Sequence, residues 1–158
     1  MNRALVTGGS GGIGAAICRR LAADGCHVFV HAFRQREAAE ALVAEIRQTG
    51  GTADAIVFDV TDREAAGAAL SALVEEAPIR ILVNNAGIHA DAVFPAMSTQ
   101  QWDSVIDVSL NGFFNVTQPL VMPMIRSRWG RIINISSVAA LAGNRGQVNY
   151  SAAKGALH

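Results

Sequence analysis

Ala4-Leu5-Val6-Thr7-Gly8-Gly9-Ser10-Gly11-Gly12-Ile13-Gly14 opens the chain with a short apolar strand that empties into a glycine-rich loop. A helix follows, with Ile13, Ala16, Ile17, Arg20 and Leu21 at helical spacing. Strand, glycine loop and helix in this order make a phosphate cradle. Glycines let the backbone approach a pyrophosphate, and the helix N-terminus favours its charge. Gly8, Ser10, Gly12, Ile13 and Gly14 are the candidate contacts. The plainer alternative is a glycine-rich turn, since an isolated glycine motif is a weak signal. Position at the first strand-to-helix crossing favours the cradle.

The same alternation continues outward. His27 to Ala32 reads as a second strand, Arg36 to Gln48 as an amphipathic helix with Ala39, Leu42, Val43 and Ile46 on one face, and Ala53 to Phe58 as a third strand after Gly50-Gly51. Arg63 to Glu76 is a helix that Asp62 is suited to cap and Pro78 stops; Ile79 to Val83 is a buried fourth strand. This pattern implies a doubly wound parallel α/β sheet of the Rossmann type, with strand order 3-2-1-4-5. In such folds an acidic residue ending the second strand selects NAD. Here Ala32 stands there, followed by Phe33 and Arg34, so a guanidinium replaces a carboxylate and NADP(H) is expected. An ordinary loop arginine is the alternative for Arg34.

A second constellation lies near the other end. Arg131 to Ile135 reads as a fifth strand leading through a loop to a helix that begins near Asn149. Tyr150 and Lys154 are four residues apart, hence about 40° apart on one helix face. The ammonium favours the phenolate, making the pair an acid–base device. Ser137, at the end of the preceding strand, can hold a carbonyl oxygen. Taken alone, the pair would more often be an amphipathic surface helix. Between the fourth and fifth strands, Thr99 to Ser127 reads as a long helical stretch interrupted by Pro119 and Pro123. Its apolar residues, among them Val105, Ile106, Phe113, Phe114, Leu120 and Met124, exceed what one sheet contact needs, which fits subunit packing.

Composition sets the outer limits. The 158 residues fit one domain, half are hydrophobic and only 16% charged, as in a compact globular protein. Thirteen basic residues balance thirteen acidic ones, giving no sign of a nucleic-acid or anionic-membrane partner. The N-terminus is too short in apolar residues for a signal peptide, no run reaches membrane-spanning length, and a cytoplasmic location is expected. Cys18 and Cys26 read as buried thiols. The four histidines lack ligand spacing, so no metal site is expected.

Together these motifs resemble the short-chain dehydrogenase/reductase family over all 158 residues. The loop has its T-G-x-x-x-G-x-G form, and Ser137 lies thirteen residues before Tyr150. Gly143-Asn144-x-Gly146-Gln147-x-Asn149-Tyr150 is similar to the 3-oxoacyl-[acyl-carrier-protein] reductase and acetoacetyl-CoA reductase branch. The resemblance implies NADPH-dependent reduction of a 3-oxoacyl thioester in fatty acid biosynthesis. Ser137 would hold the oxygen, Tyr150 would protonate it, and Lys154 would also anchor the nicotinamide ribose. It assigns Asp59-Val60 to the adenine, and Asn84-Asn85-Ala86-Gly87 to closing the cofactor site; a strand-end turn is the simpler reading of the latter. It implies a homo-oligomer, tetramer or dimer, and gives Arg128 a part in docking an acidic carrier protein, against the alternative of a solvated face. Three departures stand out. Gly11 occupies a place where NADP-type relatives often carry a basic residue. Ser109 stands 28 positions before Ser137, where the family has a catalytic asparagine whose backbone carbonyl helps hold a relay water. Asn111 is no simple substitute, being about 200° further round a helix. Family chains also continue past the point corresponding to His158, through further strands and a substrate lid. A sheet incomplete at that edge is therefore expected, and a 1–158 chain is expected to aggregate and lack activity. An alcohol or sugar dehydrogenase, or a silent NADP-binding partner subunit, are the alternative functions.

Overall fold

The computed structural model describes residues 1–158. Five parallel strands, β1 (Arg3–Val6), β2 (His27–Ala32), β3 (Thr52–Val57), β4 (Ile81–Asn84) and β5 (Arg131–Asn134), form one sheet in the order β3-β2-β1-β4-β5. Helices α1 (Gly12–Ala23), α2 (Arg36–Gln48), α3 (Arg63–Glu76), α4 (Thr99–Ile106) and α5 (Gly112–Arg126) connect them. After β5 come a single turn, α6 (Ala139–Ala142), and the nine-residue α7 (Val148–Ala156). The second strand has the limits expected from the sequence, and the other four differ from it by one or two residues at one end or both. No helix is long and apolar enough to cross a membrane.

Side chains alternate between the two faces of each strand, and here both faces are buried. Ala4, Val6, Val28, Val30 and Val83 point into a core shared with Cys18 and Ala22 of α1 and Leu42 and Ile46 of α2. Leu5, Phe29 and Leu82 point the other way, onto Leu70 of α3 and Val116 and Leu120 of α5. This explains why the strands read as continuous apolar runs. β5, at the sheet edge, differs: Ile132 and Ile133 are 42% and 45% exposed.

One expectation fails. Pro119 and Pro123 do not interrupt the long helical stretch; both lie inside an unbroken α5. A proline removes one backbone donor and crowds the carbonyl four residues back. Packing of Val116, Leu120 and Met124 into the core holds the helix together around both. The break comes earlier, where Asp107–Asn111 forms a π turn between α4 and α5. Gly112 permits close approach there, for a β-carbon on it would stand 2.8 Å from a Val60 methyl.

Candidate active site

Parallel strands send all their carboxyl ends to one edge. The chain winds β1-β2-β3 to one side, then crosses back to β4 on the other, so a crevice opens between β1 and β4. A cleft of about 660 Å³ occupies this place. Gly8, Ser10, Arg34, Asp59, Val60, Ala86 and Gly87 all line it, together with His31 and Ser104. Gly8 and Ser104, 96 positions apart in the chain, thus share one cavity. Gly12, Ile13, Gly14 and Asn85 lie just outside its lining.

The glycine loop is squeezed from two sides. Gly8 has φ +61°, a conformation only glycine adopts freely. A β-carbon on Gly14 would overlap the Gly8 carbonyl oxygen and come within 2.7 Å of Asn85 Nδ2. Gly14 therefore serves packing of α1 against the loop. Asn85 does likewise, donating from Nδ2 to the carbonyls of Thr7 (2.9 Å) and Gly8 (3.1 Å). Thr7 Oγ1 accepts from the backbone amides of Asn85 and Ala86, both at 3.0 Å. Thr7 is 2% exposed, and sequence reading missed its role; its place just before the glycines was the available signal.

The cleft suits a dinucleotide. No side chain caps the N-terminus of α1, and space beyond Gly12 is open, so the amides of the first turn face outward at the cradle. Arg34 also lines the cleft, its guanidinium held 5.0 Å from the Phe33 ring centroid in a cation–π contact. Asp59 Oδ1 accepts from the amide and hydroxyl of Thr61, while Asp62 caps α3 by accepting from the Glu64 and Ala65 amides, as its spacing suggested.

Tyr150 and Lys154 share a face of α7, with Nζ 5.8 Å from the ring centroid. Lys154 is buried, and that burial holds its pKa below the ordinary lysine value. Its ammonium donates to the Ile135 carbonyl at 2.9 Å. Ser137 Oγ accepts from the Ala139 amide at 3.2 Å and so starts α6, an element absent from the sequence reading. A β-carbon on Gly87 would lie 3.1 Å from Lys154 Nζ and 3.6 Å from Ser109 Oγ. Gly87 lines the cleft, so both side chains lie behind its wall there without lining it themselves. Ser109 is buried in the π turn, its hydroxyl without a protein partner. Asn111 is exposed and donates to Asp107 Oδ1 at 2.7 Å. The π turn changes the angular step assumed for these two residues but leaves them on different sides.

Asn149, which the sequence marks as a motif residue near the start of the last helix, is fully buried. Its Nδ2 donates to the carbonyls of Ala90 and Gln101, both at 3.0 Å, and its Oδ1 accepts from the Tyr150 amide at 2.8 Å. It ties the first turn of α7 to the segment after β4 and to α4. No group of His, Cys, Asp and Glu residues forms a metal site.

Comparison with known proteins places this geometry. The family model described as short chain dehydrogenase matches residues 2–158. A 3-oxoacyl-[acyl-carrier-protein] reductase of Aggregatibacter actinomycetemcomitans is 46% identical over 155 residues, covering 97% of this chain and 64% of that protein. Nodulation protein G of Azospirillum brasilense is 45% identical over 152 residues, 96% of this chain and 62% of its own length. An acetoacetyl-CoA reductase of an Acinetobacter strain is 43% identical over 159 aligned residues, 98% of this chain and 63% of that protein. The chain thus spans a little under two thirds of the length of these curated relatives.

Proposed function

This chain belongs to the short-chain dehydrogenase family, and from that premise we propose that it carries the cofactor cleft and acid–base residues of an NADPH-dependent reductase of 3-oxoacyl thioesters. One observation carries the reading: Gly87 brings the cofactor cleft and the Lys154 ammonium into contact range, joining a dinucleotide groove to the Tyr150–Lys154 pair. The names of the similar reductases support the thioester class.

The bound nicotinamide would supply the hydride. The α1 amides, with Ser10, would hold the pyrophosphate, and Arg34 the ribose 2′-phosphate. Ile13, 65% exposed on the first turn of α1, would cover the phosphates with its side chain. Asp59 would accept from the adenine amine and Val60 flank the ring, with Asn85, Ala86 and Gly87 closing the opposite wall. Ser137 would donate to the ketone oxygen, polarising the carbonyl, and Tyr150 would protonate that oxygen as charge builds on it. Lys154, fixed by the Ile135 carbonyl, would place positive charge beneath the phenol ring and reach the nicotinamide ribose. The Ser109 backbone would hold a relay water.

Two surfaces fit the wider assignment. Arg126, Arg128 and Arg131 are exposed together at the α5–β5 turn, complementary to an acidic carrier protein. Phe114, Met122 and Ile125 leave an apolar face on α5 suited to a second subunit.

The test, on the full-length protein, is NADPH oxidation with acetoacetyl-CoA and a carrier-linked 3-oxoacyl substrate, beside NADP⁺ reduction with a panel of sugar alcohols. Thioester turnover is expected, and Tyr150→Phe should lower it by about a thousandfold with NADPH affinity little changed. Turnover of the alcohols alone would replace the substrate assignment, and an active Tyr150→Phe protein would remove tyrosine from the acid role.

A further inference from the structure

His31, the last residue but one of β2, lies at the wall of the cleft, where it is 2% exposed, and no part of the reading above uses it. Its Nδ1 lies 3.1 Å from the backbone nitrogen of Gly8 and its Nε2 lies 2.9 Å from the carbonyl oxygen of Phe58. An amide can only donate and a carbonyl can only accept. The ring must therefore be neutral, bare at Nδ1 and protonated at Nε2. The His31 carbonyl also accepts from the Gly9 amide at 2.8 Å, and the ring packs on Phe58 with centroids 4.2 Å apart.

These contacts join two walls of the cleft. Gly8 belongs to the glycine loop, and Phe58 immediately precedes the Asp59-Val60 pair. We propose that His31 is a positioning residue: by accepting the Gly8 amide on Nδ1 it turns that donor away from the cleft and fixes the loop at the height at which the α1 amides meet a pyrophosphate. This rests on the dinucleotide reading above. Burial lowers the pKa of His31 to about 4, so the neutral ring persists at ordinary pH. Asp59 is the charged group whose field favours protonation. Arg34 lines the same cleft, and the nearby Cys18 thiol of α1, pushed up to about 12, stays neutral.

Two near-isosteres separate the two bonds. His31→Asn places an amide oxygen where Nδ1 was and keeps the bond to Gly8. His31→Gln reaches the Nε2 position and keeps only the link to Phe58. Titration calorimetry with NADPH and with adenosine 2′-monophosphate, which lacks the pyrophosphate, reads the effect. Leaving the Gly8 donor buried and unpaired should weaken NADPH binding by about tenfold in His31→Gln, while His31→Asn stays within about threefold of wild type. Adenosine 2′-monophosphate, which depends on Arg34, should bind all three proteins alike. Wild-type affinity for NADPH in His31→Gln, or equal losses of both ligands, would overturn the inference. Nitrogen-15 spectra of the wild-type imidazole test it without any substitution: Nδ1 should be unprotonated and the Gly8 amide protected from exchange. A proton on Nδ1 overturns it. Wild-type protein with the expected tautomer but no NADPH binding overturns the cofactor reading instead, and the inference falls with it.

Discussion

The wall of the cofactor cleft and the helix bearing Tyr150 are held in opposite ways. Around the glycine loop, Thr7, His31 and Asn85 each make at least two hydrogen bonds to backbone, and they share partners at Gly8 and its neighbours. Loss of one leaves others. By contrast, the first turn of α7 depends on Asn149 for its buried polar anchoring, and the flanking Val138, Leu141 and Val148 are exposed. Redundant bonding gives a cleft shaped before its ligand arrives. Further along α7, Lys154 bonds the Ile135 carbonyl and Ser136 the Lys154 carbonyl, so it is the start of the helix bearing Tyr150 that one substitution can loosen.

The sharpest way to break this contrast is Asn149→Ala. It strips the Ala90 carbonyl and the Tyr150 amide of their side-chain partner and leaves the Gln101 carbonyl with the Ser104 hydroxyl, and should cost roughly 2–4 kcal/mol of stability while lowering kcat far more than NADPH affinity. Denaturant melts together with single-turnover rates check this. Equal losses in rate and in cofactor affinity would show that the two regions move as one.

Next in size is an acid limb arising on the cleft side. The unfolded chain protonates His31 near 6.5, but the folded protein only near 4. Between these values the unfolded state binds the proton that the native state refuses, so stability is full above about pH 6.5 and falls as pH drops toward about 4. The contribution is on the order of 3 kcal/mol. Melts at several pH values should show this decline, and His31→Asn should flatten it.

Arg34→Ala should then weaken NADPH binding by about 1–3 kcal/mol and spare NADH, leaving kcat at saturating cofactor unchanged. Equal loss for both nucleotides would remove the 2′-phosphate contact. The smallest effect belongs to Ser109→Ala. Its hydroxyl is buried without a protein partner, so its loss should shift stability by less than about 1 kcal/mol and lower kcat only slightly. A hundredfold loss would mean that the hydroxyl itself takes part in proton transfer.

The sequence by itself determined the strand order and pointed to the carboxyl ends of the strands; of the residues that line the cleft it named Gly8, Ser10, Arg34, Asp59, Val60, Ala86 and Gly87, but not His31 or Ser104. These follow from hydrophobic runs, glycine placement and the handedness of parallel crossovers, all local or topological rules. Asp62 as a cap and the pairing of Tyr150 with Lys154 on one helix face were legible for the same reason: they need only neighbours in the chain. Tertiary structure decided the rest. Pro119 and Pro123 read as breaks because proline's local cost is certain, whereas the packing that outweighs it comes from the sheet and α3. Lys154 gives its hydrogen bond to Ile135, nineteen residues away, which helical spacing could not foretell. His31 looked like one of four scattered histidines until Gly8 and Phe58, 23 and 27 residues distant, closed on either side of its ring. Asn149 is an unremarkable letter in a motif, and becomes an anchor only where Ala90 and Gln101 bring their carbonyls to it. A hydrogen bond is specified by two partners at one distance, and the chain brings such partners together only when its elements pack.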